Sequence, residues 1–177
     1  MRPGVRLGVD VGSVRVGLAS SDPEGVMASP VATLARDERD GADQLQIVAE
    51  AAGRAAVEVV VGLPRSLSGE EGPAARLARD YARSLRARLA EAGAPSQVRL
   101  FDERLSTVDA HRQLRESGVP GRAQRARVDQ AAAVLILQAA LDAERASGEP
   151  AGELVGARKP RSTRARRPRT NGQDHPR

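Results

Sequence analysis

Three carboxylates stand at positions that general folding rules do not require. Asp10 lies in a strand-like segment whose alternate residues are apolar, Val5-Arg6-Leu7-Gly8-Val9-Asp10-Val11. A carboxylate in such a setting is costly to bury unless it is paired or binds a cation. Glu103 lies in Phe101-Asp102-Glu103-Arg104, directly after another apolar run. Asp129 opens the apolar stretch Asp129-Gln130-Ala131-Ala132-Ala133. Each has a plain structural account. Asp10 could pair with a nearby arginine such as Arg15, Glu103 could be a solvated turn residue, and Asp129 could favour a helix start through the helix dipole. Asp102 is an alternative to Glu103. Together, three acids converging from two strands and a helix would form an all-oxygen site for one or two hard cations, Mg²⁺ or Mn²⁺. Two such ions can activate water and stabilise the leaving oxygen of a phosphodiester.

Basic residues surround the acids in the same pattern. Arg15, Arg65 and Arg104 fall near expected strand ends or loops, where guanidinium groups could hold phosphates bidentately. Between Glu116 and Asp129 there are no acids, but Arg122, Arg125 and Arg127 occur. A basic loop there would supply further phosphate contacts, although a solvated helix entry has the same composition. Gly12 and Gly17 suit tight turning and close approach of the backbone, or simple sheet packing.

The elements that would position these groups can be read from periodicity. Val5 to Val11 alternates as a strand, Gly12-Ser13 marks a turn, and Arg15 to Ser20 returns as the second arm of a hairpin. Val26 to Leu34 is a third strand that Pro30 assigns to an edge. From Asp40 a helix is expected with Ala42, Leu45, Val48, Ala49 and Ala52 inward and Gly53 as its C-cap. Val57 to Gly62 reads as a parallel strand covered on both faces. Ser68 and Glu71 have capping-box spacing ahead of a helix to about Ala92, with Leu77, Tyr81, Leu85 and Leu89 aligned. Val98 to Phe101 is the next strand. Helices are expected from Ser106 to Ser117 and from Gln130 to Arg145, with residues 118–128 as a loop or loose helical start. The order implies an α/β domain with a mixed five-stranded sheet flanked by helices.

Composition narrows the functions. The 177 residues contain no cysteine, no tryptophan and two histidines, which excludes disulfides, thiolate metal sites and a His-rich zinc site. One Tyr and one Phe cannot build a base-stacking platform for single strands. The longest apolar run, Ala131–Leu137, is too short to span a bilayer, and Asp10 breaks the only apolar stretch near the start, so neither a membrane span nor a secretory signal is expected and the default location is the cytoplasm. The net charge of +5 is uneven: residues 151–177 carry +6 and residues 1–150 carry −1. The expected organisation is a folded domain over 1–150 and an Arg-rich, disordered tail over 151–177, its composition too polar to bury a core.

Four segments, in order, resemble the motifs of the YqgF (RuvX) family. They are Gly8-Val9-Asp10-Val11-Gly12-Ser13-Val14-Arg15-Val16-Gly17-Leu18-Ala19; Val60-Val61-Gly62-Leu63-Pro64 with Gly69; Asp102-Glu103-Arg104-Leu105-Ser106-Thr107; and Val128-Asp129-Gln130-Ala131-Ala132 with Ile136-Leu137. The resemblance covers roughly residues 5–146 and leaves the tail outside. It implies an RNase H-like fold and a metal-dependent nuclease maturing the 5′ end of the small-subunit rRNA precursor. Asp10, Glu103 and Asp129 would be the catalytic acids and the ligands of two Mg²⁺ or Mn²⁺ ions. The fold analogy also implies 5′-phosphate and 3′-hydroxyl products. Ser106 stands where many members have Thr and keeps the hydroxyl. The partner would be structured RNA (pre-rRNA or ribosomal particles), with the protein a monomer or homodimer. Rival readings are a resolvase acting on branched DNA, a non-catalytic RNA- or ribosome-binding module, and a nucleotide-binding lobe, for which the chain has room for only one of the two lobes required.

Overall fold

The computed structural model describes residues 2–66, 68–105 and 122–156, with the backbone alone at Leu105 and over 122–129. The elements are β1 (Arg6–Val11), β2 (Arg15–Ser21), β3 (Ala28–Ala35), α1 (Ala42–Gly53), β4 (Glu58–Leu63), α2 (Pro73–Glu91), β5 (Gln97–Asp102), a 3₁₀ turn (Glu103–Leu105), α3 (Arg122–Ser147) and β6 (Glu153–Leu154). They build one mixed sheet in the order β3-β2-β1-β4-β5-β6. β1, β4 and β5 are mutually parallel, and β2, β3 and β6 are antiparallel to their neighbours.

Alternation along the central strands creates two cores. Leu7, Val9, Val11, Val59, Val61 and Leu63 point to the side covered by α1 and α2, where Ile47, Tyr81, Leu85 and Leu89 meet them. Val60 and Phe101 point to the other side, against Ala133, Ile136 and Leu137 of α3. Gly8 lies on that second face. A Cβ there would lie 2.6 Å from Cβ of Leu137 and 2.8 Å from the Ala133 carbonyl oxygen, so Gly8 lets α3 press directly on β1. The far end of α3 is fixed by charge. The Glu144 carboxylate accepts from Arg2 at 3.0 Å and from the fully buried Arg6 at 3.1 Å. α3 therefore runs against the direction of β1, and its first half lies at the carboxyl end of the parallel strands.

Several expectations are corrected by packing that periodicity does not reveal. The sheet has six strands, not five: β6 pairs with β5 through Arg99↔Leu154 and Leu100↔Glu153, and Val155 is buried beside it. The fold thus extends past the expected boundary at 150, while 157–177 lie outside the described residues. The inward face of α1 is rotated. Leu45 is exposed, and Asp43 and Gln44 are buried because they accept hydrogen bonds from Tyr81 and from Ser84 and Arg88 on α2. The residue after Gly53, Arg54, ends that helix. α2 starts at Pro73 behind Gly72 rather than in a Ser68–Glu71 capping box, and Glu71 is instead claimed by Arg65 and Arg79. Pro30 sits at the edge strand as expected, at a register shift opposite Leu18 and Ala19. The helix expected from Ser106 to Ser117 lies outside the described residues.

Candidate active site

β1 and β5 deliver two of the acids to opposite sides of β4. Asp10 is the fifth residue of β1 and shares the α3 face with Gly8, two residues earlier. Val9 pairs with Val61, so Asp10 comes level with Gly62. Gly62 in turn pairs with Phe101, and the 3₁₀ turn after Asp102 folds Glu103 back over the sheet. A Cβ at Gly62 would lie 2.5 Å from Glu103 Oε1 and 2.5 Å from Cδ1 of Ile136. The Glu103 carboxylate therefore occupies the room that glycine leaves, beneath α3 and one strand away from Asp10. On its other side Asp10 is paired with Gly17 of β2. Glycines on both neighbouring strands leave a trough without side chains of its own beside Asp10, into which Glu103 and Ile136 reach at Gly62.

Both acids are almost fully enclosed, Asp10 at 3% and Glu103 at 1% exposure. Two carboxylates buried on one face supply only oxygen donors, which suit a hard divalent cation. The trough beside Gly62 is a cradle that any side chain at 62 would fill, and in this respect the residues present fit such an ion. Among the described residues no group of three acids or histidines gathers at one point. Asp129 is on α3, four residues before Ala133. Its side chain lies outside the described residues. Four helix residues advance about 6 Å and two strand residues about 6.6 Å, so the backbone at 129 stands toward Asp10 as Ala133 stands toward Gly8. Asp129 is the eighth residue of α3, two turns from its start, which removes the dipole account of its position.

Strand alternation sends Asp102 and Glu103 to opposite faces of the sheet. Asp102 pairs with Leu63, whose side chain belongs to the α2 face. Its carboxylate accepts from Arg104 Nε at 3.0 Å and Nη2 at 2.6 Å, and Arg65 Nη1 lies 3.6 Å away. Hydrogen bonds from Arg104, and then the charge of Arg65, hold its carboxyl below the ordinary range. Arg65 also donates to Glu71 at 2.9 Å, and Glu71 accepts from Arg79 at 2.6 Å. Arg79 first, with Arg65, brings the Glu71 carboxyl down to about 2. Arg65 and Arg104 are thus gathered on Asp102, on the face of the sheet opposite the Glu103 carboxylate, and are fixed by acids that the sequence did not single out for this purpose. Arg15 opens β2, and its carbonyl accepts the Gly12 N–H at 2.9 Å, closing the hairpin. Arg122, Arg125 and Arg127 lie in the first turns of α3, the helical start that is one of the two expectations for this segment, and their side chains are outside the described residues.

The clamp roles of Asp102 and Glu71, and the cradle at Gly62, were missed in the sequence. The usable signal for Gly62 was a glycine inside an apolar run, which marks a place where another group comes close.

A family model described as "RuvX: Holliday junction resolvase" matches residues 4–143. The chain belongs to the RuvX family. A curated relative from Kineococcus radiotolerans is 57% identical over 166 residues, covering 94% of this chain and 86% of its own. One from Frankia casuarinae is 60% identical over 146 residues, covering 82% and 70%. Both carry the name "Putative pre-16S rRNA nuclease". Among solved structures, Thermus thermophilus RuvC in complex with a Holliday junction substrate superposes with a TM-score of 0.52 at 13% identity, over 81% of this chain and 96% of that one. The likeness to RuvC establishes the RNase H-like fold. The RuvX match spans β1 to α3 and so includes all three acids, but ends before β6 and the Arg-rich segment. No helix among the described residues is long and apolar enough to cross a membrane.

Proposed function

We propose that this RuvX protein is a metal-dependent endonuclease that trims the 5′ end of precursor 16S rRNA during ribosome biogenesis in the cytoplasm. The observation that carries this reading is the burial of Asp10 and Glu103 on one face, either side of the trough at Gly62, at the carboxyl ends of parallel strands. Ligand sites in open α/β sheets form at such ends.

Asp10, Glu103 and Asp129 would hold one or two Mg²⁺ or Mn²⁺ ions. When bound, these ions supply an activated water and charge stabilisation for the leaving oxygen. The protein's own groups do the rest. Unshielded, the buried carboxylates repel the phosphodiester, so productive approach depends on cation loading. Arg65 and Arg104, oriented by Asp102, would hold phosphates flanking the scissile one, and Arg15, Arg122, Arg125 and Arg127 would add further phosphate contacts. α3 closes one wall and limits water access to the acids.

A second reading is favoured by the family description: cleavage of a four-way DNA junction. It calls for a symmetric dimer, whereas RNA trimming needs a single site. One preparation, tested on a 5′-extended rRNA precursor and on junction DNA with Mg²⁺ and Mn²⁺, separates them. Cleavage of the RNA alone is expected; cleavage of the junction alone replaces the RNA reading. Mn²⁺ titration by calorimetry gives an independent readout: binding should be lost in Asp10→Asn and Glu103→Gln.

A further inference from the structure

The body of the protein is close to neutral, but one helix is not. α2 carries five arginines and two acids, whereas α1 carries two acids and no basic residue. Arg76 and Arg83, seven residues apart, are exposed on the outward side of α2, opposite Ala78, Tyr81, Ala82 and Leu85, and Arg86 is exposed on the adjoining flank toward β6. Among the described residues no carboxylate pairs with Arg76 or Arg86. Arg83 has only the surface pair with Asp80 at 2.8 Å, which is weak and easily exchanged. Arg79, on the flank, is fully engaged by Glu71 and Glu153.

Two features connect this face to the rest of the chain. At its amino end, Arg79 shares Glu71 with Arg65, and Arg65 shares Asp102 with Arg104, so the ion pairs run to Asp102, the residue before Glu103. At its other end, the Arg86 guanidinium packs on Gly156, whose added Cβ would lie 2.7 Å from Arg86 Cζ. The Arg-rich segment follows Gly156 directly in sequence.

We propose that the outer face of α2, through Arg76, Arg83 and Arg86, is a docking surface for the sugar-phosphate backbone of structured RNA outside the cleavage site. The inference rests on the nuclease reading for the identity of the RNA. From Arg76 to Arg86 the helix advances about 15 Å, long enough to meet several phosphates of a duplex. Planar guanidinium forks match phosphate oxygens bidentately. A protein partner fits less well. Among the described residues the exposed large apolar ones are Val14, Val26, Met27 and Leu45, none on α2, so this face has no apolar centre of the kind that carries protein–protein affinity.

The test uses the full chain and a fluorescent RNA hairpin with a single-stranded 5′ extension. Binding is read by anisotropy in EDTA over a KCl series, so it does not depend on cleavage. The variant is Arg76→Gln/Arg83→Gln/Arg86→Gln. The control, Arg39→Gln/Arg54→Gln/Arg145→Gln, removes the same charge elsewhere. Each lost phosphate contact should lower the slope of log K against log[salt] by about 0.9, so the α2 variant should flatten it by between about two and three and the control by little. Equal slopes in the two variants overturn the proposal. So does loss of binding to polyglutamate with RNA binding intact, which would assign the face to an acidic protein. RNA that binds with the expected slopes but is not cut when Mg²⁺ or Mn²⁺ is added would instead defeat the nuclease reading and leave this surface standing.

Discussion

Replacing Gly62 by Ala adds one methyl group at the point where β4 passes beneath Glu103. That methyl would stand 2.5 Å from Glu103 Oε1 and 2.5 Å from Ile136 Cδ1, and 3.3 Å from Ile136 Cγ1. Both close neighbours are ends of flexible side chains, so the backbone can stay. The carboxylate must retreat by about 0.9 Å to regain the 3.4 Å of ordinary contact. Overpacking of this kind costs about 1–3 kcal/mol, and Ala recovers about 0.5–1 kcal/mol over Gly in a strand. The net loss is about 0–2.5 kcal/mol, a fall in Tm of up to about 10 °C at roughly 2–4 °C per kcal/mol for a domain of this size. Catalysis should suffer more, since a misplacement near 1 Å can cost about 10²-fold. Thermal unfolding and cleavage of a 5′-extended precursor RNA would be measured on the same preparation. The expected result is a folded protein with cleavage reduced about a hundredfold. Gly8→Ala is the contrast: it meets the Ala133 carbonyl at 2.8 Å, so α3 itself must move and the stability loss should be larger. A Gly62→Ala protein that cleaves at the wild-type rate would refute the claim that the position of Glu103 is critical.

Other predictions follow from the charged end of α3 and from β6. Burial pushes the Glu144 carboxyl up, but hydrogen bonds from Arg2 and the charge of Arg6 outweigh it and hold it at about 2, against an ordinary 4.5. Its contribution, about 3 kcal/mol from the shift, is complete above pH 4.5 and is lost as pH falls toward 2. Urea midpoints at pH 5 and pH 3 should therefore converge between wild type and Glu144→Gln. At neutral pH that variant should lose about 3–5 kcal/mol, because Arg6 is left buried without its acid. Truncation after Gly156 should preserve the unfolding midpoint while flattening the salt dependence of RNA binding. Truncation after Pro150 should lower the midpoint, since it removes β6 and buried Val155.

Much of the scaffold was legible because the central strands are short apolar runs with turn residues at their ends. The hairpin of β1 and β2 follows from period-two patterning and the Gly12-Ser13 turn, the edge position of β3 from Pro30, and the parallel β4 from its nearly continuous apolar run. The limits are physical. β6 has two residues, too few to show alternation, and is held by pairing with a strand more than fifty residues earlier. α1 turned its polar Asp43 and Gln44 inward because their partners, Tyr81, Ser84 and Arg88, are on another helix. The first turns of α3 carry arginines, good helix formers that show no apolar stripe. At the site, Asp10 was conspicuous as an acid in an apolar strand. Choosing between Asp102 and Glu103 required the register of β5, which sends Asp102 to its arginines and Glu103 to the trough.

The most direct test of the central claim is cleavage of a 5′-extended 16S precursor by wild type and Asp10→Asn, side by side, with Mg²⁺ or Mn²⁺. Asn keeps the shape of Asp10 and removes its charge. The expected result is metal-dependent cleavage by wild type and none by the folded variant. Cleavage by Asp10→Asn at the wild-type rate would contradict the account.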